Sequence, residues 1–142
     1  MTRINLINVN ELSDQHLIAE YREITMVPAA LKRTLNSRNG LILKKIPKNF
    51  TLNKGHVTFF YNKGQYLYKR YRLLINEMKK RGFNPNADRE FPVKIFIENN
   101  LFNDWKPTIQ DLNIIKRRID AKIKQKPNWY RKYGEYTYKI KD

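Results

Sequence analysis

Residues 13–35 read SDQHLIAEYREITMVPAALKRTL, and this stretch decides the class of the fold. Leu17, Tyr21, Ile24, Leu31 and Leu35 recur at steps of three, four and seven, the period of one face of an α-helix. Ser13 stands where an N-cap belongs, with a hydroxyl suited to accept a first-turn N–H, and Asp14 sets negative charge at the positive end of the helix dipole. Pro28 falls on the same face without an N–H to donate, so a kink or a break is expected just before it.

Two further segments repeat the pattern. From Gln65 to Arg81 the residues Leu67, Tyr71, Leu74, Ile75 and Met78 share one side, and Gly82 suits a left-handed C-terminal turn. From Thr108 onward Ile109, Leu112, Ile115, Ile119 and Ile123 do the same; Thr108 with Asp111 resembles a capping box, and Pro127 ends the run. The Gly55–Tyr61 run alternates only weakly, and Phe91–Ile97 reads as a short extended piece, too little to build a sheet. The expected fold is mainly α: one compact domain over residues 1–142, with three helices, long connecting loops and little or no sheet. A chain of 142 residues without repeats or a Ser/Gly linker leaves little room for a second domain.

Charge narrows the partner. Lys and Arg number 29 against 13 Asp and Glu, a net charge of +16, and the 53 residues between Glu23 and Glu77 hold 11 bases and no acid. A surface built only for solubility intersperses both signs, whereas binding to phosphates favours the removal of acids that would repel them. A polyanion is the expected partner, with nucleic-acid binding favoured over a merely solvated basic surface. With no cysteine there is no disulfide, no thiolate metal site and no cysteine nucleophile, and two histidines make a zinc site weak. No apolar run approaches the ~18 residues of a membrane span, and MTRINLINVN lacks the apolar stretch of a secretory signal. A cytoplasmic monomer with no membrane partner is expected.

Against that background His16, Glu20 and Glu23, at steps of four and three, share a helix face away from the apolar stripe. Neither glutamate has a Lys or Arg at helical contact spacing. The pair reads either as a solvated face or as carboxylates kept for chemistry, and a distant base could still pair with either. A Mg²⁺ site would want more oxygen ligands than the nearby Glu11 and Asp14 supply. His56, between Gly55 and apolar residues, reads as a structural histidine that satisfies a backbone group.

The C-terminal stretch 129–139, with Trp129, Tyr130, Arg131, Lys132, Tyr133, Tyr136, Tyr138 and Lys139, interleaves rings with bases; the rings either stack on bases or pack over the helices. Arg118 and Lys122, four apart, can face one phosphate track, while Lys116, Arg117 and Lys124 read as solvated. Thr2 is small enough that loss of Met1 is expected, which frees an α-amine whose ordinary pKa of about 7.7–8.0 leaves a useful uncharged fraction at neutral pH. Such an amine can attack a sugar carbon and form a Schiff base.

These residues meet a known pattern. MTRINL (1–6), DQHLIAEYRE (14–23), GHVTFFY (55–61), KRGFN (80–84) and PNWYRKYG (127–134) together resemble the phage-type pyrimidine dimer DNA glycosylases with abasic-site lyase activity, also called ultraviolet endonuclease or endonuclease V. The resemblance covers most of the chain and is poor over residues 85–107. It implies a compact three-helix protein that uses the Thr2 amine as nucleophile and Glu23 as the essential carboxylate, with no metal and no cofactor. It also implies that Arg3 and Arg22 lie near the damaged bases or backbone, that Gln15 and His16 line the site, and that Arg118 and Lys122 contact phosphates. Trp129, Tyr130, Arg131, Lys132 and Tyr133 match the aromatic C-terminal segment tied to substrate binding. The reaction implied is excision of damaged pyrimidines, cyclobutane dimers first, followed by strand cleavage through β-elimination. One departure stands out: the family pattern after the glutamate has a proline and then an arginine, where this chain has Thr25 and Met26, with its proline at Pro28.

Overall fold

The computed structural model describes residues 3–85 and 89–136, and it is mainly helical. The first periodic stretch forms two helices, α1 (Asp14–Glu23) and α2 (Met26–Leu35). Ser13 caps α1, its side chain accepting the N–H of His16. Pro28 sits in the first turn of α2, where N–H groups have no intrahelical partner, so the expected break takes the form of a fresh helix start rather than a kink. Arg89 secures the junction. Its guanidinium donates to the Arg22 carbonyl at 2.7 Å and to the Thr25 hydroxyl, and lies 4.7 Å over the Tyr21 ring, a cation at the negative end of α1.

The weakly alternating run is helical instead. α3 (His56–Phe59) is a single turn that brings His56, Phe59 and Phe60 onto one side, where they pack edge-to-face with Phe50. Packing of bulky rings decides the local backbone here, and a short apolar run carries too little periodicity to reveal it. The expected extended piece at Phe91–Ile97 is corrected in the same way: α5 (Lys94–Glu98) lies there and buries Phe96. Phe96 comes so close to Gly64 that a Cβ there would collide with its ring, which fixes glycine at the start of α4 (Gly64–Lys80). α4 ends as its sequence suggests, with Gly82 at φ +85° and the Phe83 N–H returning to the Met78 carbonyl at 2.8 Å.

α6 (Ile109–Gln125) opens with a complete capping box between Thr108 and Asp111. Beyond it β1 (Arg131–Lys132) and β2 (Glu135–Tyr136) pair as a minimal antiparallel hairpin, with Arg131 opposite Tyr136.

α1 packs against α4, and one core runs through Leu17, Ile24, Leu31, Leu67, Leu74 and Ile115, all fully buried. Burial of such side chains contributes roughly 1.5–3 kcal/mol each. The N-terminal arm threads into this core through Ile4 and Leu6, which are 0% and 6% exposed. Leu6 adopts φ +57°, a left-handed conformation that costs a branched residue about 1–2 kcal/mol. The bend is held on its far side, where the Arg70 guanidinium donates to the Ile7 carbonyl at 2.6 Å. Among the described residues no helix is long and apolar enough to cross a membrane.

Candidate active site

The arm passes alongside α1, and three successive backbone N–H groups are taken by side chains. Arg3 donates to Glu23 Oε2 at 3.3 Å, Ile4 to His56 Nε2 at 2.9 Å, and Asn5 to Glu20 Oε1 at 3.1 Å. An extended chain sends alternate N–H groups to opposite sides. Arg3 and Asn5 therefore face the two glutamates of α1, while Ile4 faces α3. The spacing that put Glu20 and Glu23 on one helix face is the spacing that grips the arm.

Glu20 and Glu23 then part company. Glu20 is 1% exposed and forms a two-point ion pair with the fully buried Arg70, with Nε at 2.6 Å and Nη2 at 3.0 Å. Burial opposes the Arg70 charge, yet Glu20 outweighs it and raises the guanidinium pKa. The distant base that the sequence left open is thus Arg70, 50 residues on, and Glu20 is a buried structural partner. Glu23, one turn later, is only half-buried and opens onto a cavity of about 230 Å³.

That cavity collects residues from four segments. The arm supplies Arg3 and Asn5, and α1 supplies His16, Ala19, Glu20 and Glu23. α6 contributes Arg118 and Lys122, one turn apart, and the C-terminal segment closes the wall with Tyr130. Cations therefore surround one accessible carboxylate, Glu23, beside a buried Glu20 that Arg70 already neutralises. The hollows of about 460 Å³ against α4 and about 800 Å³ between α2 and α5 collect none of the sequence-predicted site residues.

Both histidines are held neutral. Burial, reinforced by the nearby Arg118 charge, lowers the His16 pKa to about 4. Burial does the same to His56, against the Thr51 carbonyl, and Arg3 and Arg118 add to the depression, again to about 4. His56 is 2% exposed, with Nδ1 2.8 Å from the Thr51 carbonyl. Since Nε2 accepts from Ile4, the ring proton resides on Nδ1 and donates to Thr51, so the histidine satisfies backbone groups on both sides. Arg3 is also lowered, by burial and by Arg118, while Glu23 works the other way.

The C-terminal segment is fastened by its main chain to the first turn of α1. Gln15 donates to the Trp129 carbonyl at 2.5 Å and accepts the Arg131 N–H at 2.9 Å. Asp14 accepts the N–H groups of Tyr133 and Gly134 at 3.0 and 2.8 Å, and also pairs with Arg81 at 3.0 Å. Tyr133 donates its hydroxyl to Glu77 Oε2 at 2.6 Å, and the Arg81 guanidinium lies 4.5 Å over its ring. The grip sets Tyr130 flat on His16, with ring centres 4.8 Å apart and planes within 7°.

Of the residues singled out in the sequence, Arg3, His16, Glu23, Arg118, Lys122 and Tyr130 converge on the cavity. Gln15 and Tyr133 are engaged in fastening the segment, while Arg22, Trp129 and Arg131 face solvent and Lys132 is half-buried beside them. Met26 is 52% exposed at the start of α2, and Lys116, Arg117 and Lys124 are exposed as expected. Thr2, and Tyr138 and Lys139 of the ring-and-base stretch, lie outside the described residues. Sequence reasoning missed the Arg70–Glu20 and Arg81–Asp14 pairs, because their partners lie 50 and 67 residues apart in the chain.

A family model described as pyrimidine dimer DNA glycosylase matches residues 1–91. The match takes in the arm, α1 and the His56 turn, and stops short of α6 and the C-terminal segment that close the cavity. Spanning more than half of the chain and every residue that brackets the arm, it shows that the protein belongs to the pyrimidine dimer DNA glycosylase family.

Proposed function

We propose that the protein removes damaged pyrimidines from duplex DNA, cyclobutane dimers first among them, and then cuts the strand as an abasic-site lyase, with the α-amine of Thr2 as nucleophile and Glu23 as the essential carboxylate. The observation that carries this reading is the hydrogen bond from the Arg3 N–H to Glu23. Three covalent bonds separate the nitrogen of residue 2 from that of residue 3, a span of under about 4 Å in any conformation. A hold on Arg3 by Glu23 supports the reading, because the amine of the preceding residue would then lie within reach of that carboxylate and of the adjoining cavity.

In the proposed sequence the uncharged amine attacks C1′ of the damaged nucleotide. The glycosidic bond breaks, and its electron pair leaves with the base, which takes up a proton. Loss of a proton from nitrogen and opening of the sugar leave an iminium between protein and deoxyribose. Glu23 faces the positive charge that develops on the sugar and persists in the iminium, where a fixed carboxylate lowers the barrier. Removal of a C2′ proton then expels the 3′ phosphate, a proton transfer that Glu23 is placed to assist. Water finally hydrolyses the imine and returns the free amine. No step requires a metal ion or a cofactor.

Arg3, Arg118 and Lys122 would hold phosphates around the lesion, and Trp129, 53% exposed, would offer a ring to a displaced base. A dimer weakens stacking, so a protein that kinks the duplex meets a lower deformation cost there. The test is a nicking assay in EDTA on ultraviolet-irradiated duplex, with borohydride added to reduce the imine. Nicking plus a covalent protein–DNA adduct is the expected result. Binding without nicking would leave a non-catalytic basic DNA-binding module, and nicking of abasic or oxidised sites alone would move the same chemistry to another lesion.

A further inference from the structure

Three side chains grip the arm, and only one of them stands outside α1. Ile4 N–H meets His56 Nε2 from the side opposite Glu20 and Glu23, so the imidazole ties the arm to α3 while the two glutamates tie it to α1, and together they fix its rotation at residues 3–5. The ring is itself rigidly set: Nδ1 is engaged by the Thr51 carbonyl at 2.8 Å, and Phe50 and Phe60 pack edge-to-face at 5.4 Å each. Register is at stake as well as direction. A slip of one residue would turn the Ile4 side chain out of the core and put its N–H where Glu23 now holds Arg3.

We propose that His56 is a positioning residue for the reaction, which orients the amine of residue 2 toward Glu23 by holding the Ile4 N–H. The inference rests on the reading of Thr2 as nucleophile. His56 touches neither substrate nor reacting atoms, and it acts through two residues of backbone. The neutral ring is required, because only an unprotonated Nε2 accepts a hydrogen bond, and burial supplies that state. Placement errors of about 1 Å in a reacting group cost about a hundredfold in rate, so one hydrogen bond on the arm carries leverage out of proportion to its strength.

Two isosteric variants separate the two ring nitrogens. His56→Gln keeps an acceptor near the Nε2 position and loses the Thr51 donor, whereas His56→Asn keeps a donor near Nδ1 and loses the acceptor for Ile4. Both bury an amide in the same site, so a purely structural role affects them alike. Each variant, matured to Thr2, is mixed in excess with abasic-site duplex and borohydride, and the single-turnover trapping rate and the DNA affinity are read. Expected is a His56→Gln rate within about threefold of the wild type and a His56→Asn rate lower by about a hundredfold, with equal affinities. Equal rates in the two variants overturn the proposal. A wild type that traps no adduct overturns the amine reading itself, a distinguishable failure. Amide hydrogen exchange of the wild type gives a check independent of variant folding: Ile4 is expected to be protected, and exchange at the rate of an unstructured peptide sinks the inference.

Discussion

Arg70 reaches from the middle of α4 to close both carboxylate oxygens of Glu20, and neither side chain is more than 4% exposed. A buried pair of this kind is a poor source of net stability, since both charges surrender their hydration, but loss of one partner strands the other. Glu20→Ala is expected to cost about 3–5 kcal/mol in urea unfolding. Glu20→Leu combined with Arg70→Met should recover most of that loss, although the Asn5 and Ile7 backbone groups lose their partners. A double variant as unstable as the single one would show that the arm contacts, not the stranded charge, dominate.

Glu23 gives the opposite contrast, for its carboxylate opens onto the cavity and has the Arg3 N–H as partner. Glu23→Gln leaves an acceptor for that N–H, so the arm stays in place while the negative charge disappears. Base release in single turnover is expected to fall by about a hundred- to a thousandfold, the usual cost of removing one electrostatic contact to a transition state. DNA affinity should hold or rise, because one charge that repels phosphate is gone. Cutting at the wild-type rate would remove Glu23 from the chemistry.

The two glutamates also mark where sequence reading ends. Local signals were legible: Ser13 and Thr108 cap their helices, Gly82 turns the end of α4, and Pro28 marks the break between α1 and α2. The same periodicity placed Glu20 and Glu23 on one face together with His16. It could not distinguish them, because what separates them is Arg70, 50 residues away, and a charge brought in by the fold leaves no mark at helical spacing. α3 and α5 were illegible for a related reason. Each is a turn or so long, shorter than the window in which a helical period can be counted, and ring packing around Phe50, Phe59 and Phe96 decides it. The bases and rings of the C-terminal segment were evident, but its attachment runs through backbone N–H groups, which every sequence possesses.

That attachment can be released at one residue. Asp14 accepts two N–H groups from the segment and pairs with Arg81, all at 2.8–3.0 Å. Asp14→Ala is expected to free residues 129–134 and lower DNA affinity by about tenfold, the equivalent of one charge-assisted hydrogen bond. Trypsin should then cut after Arg131 and Lys132 well before the rest of the folded chain, as followed by mass spectrometry. An unchanged cleavage pattern would mean that Gln15 and the Tyr130–His16 stack suffice to hold the segment.

Acid should loosen the same region. His16 and His56 titrate near 4 in the folded protein against about 6.5 unfolded, so between those values the unfolded chain binds protons that the native state refuses. Their contribution is complete above pH 6.5 and is lost as pH falls toward 4. For His56 the shift corresponds to about 3 kcal/mol, and for the half-buried His16 to less. Urea midpoints at pH 7.0 and 4.5 measure the loss, and His56→Gln should flatten the difference. A variant as acid-sensitive as the wild type would place the titration elsewhere.

Arg118 and Lys122 project from successive turns of α6 into the cavity that holds Glu23, and Arg118 is near enough to depress both histidines. If each neutralises one phosphate, each releases about 0.9 of a counterion from the duplex on binding. The slope of log affinity against log salt should therefore shrink by about 0.9 for Arg118→Ala and by about 1.8 for the double variant with Lys122→Ala. Lys116→Ala and Arg117→Ala, exposed on α6 and absent from the cavity wall, serve as the control pair. Removal of Arg118 also takes a positive charge from beside His16, so that ring should titrate at a higher pH by NMR. A smaller salt slope with an unmoved His16 would mean that Arg118 meets phosphate outside the cavity, whereas a moved His16 with an unchanged slope would confine it to the cavity.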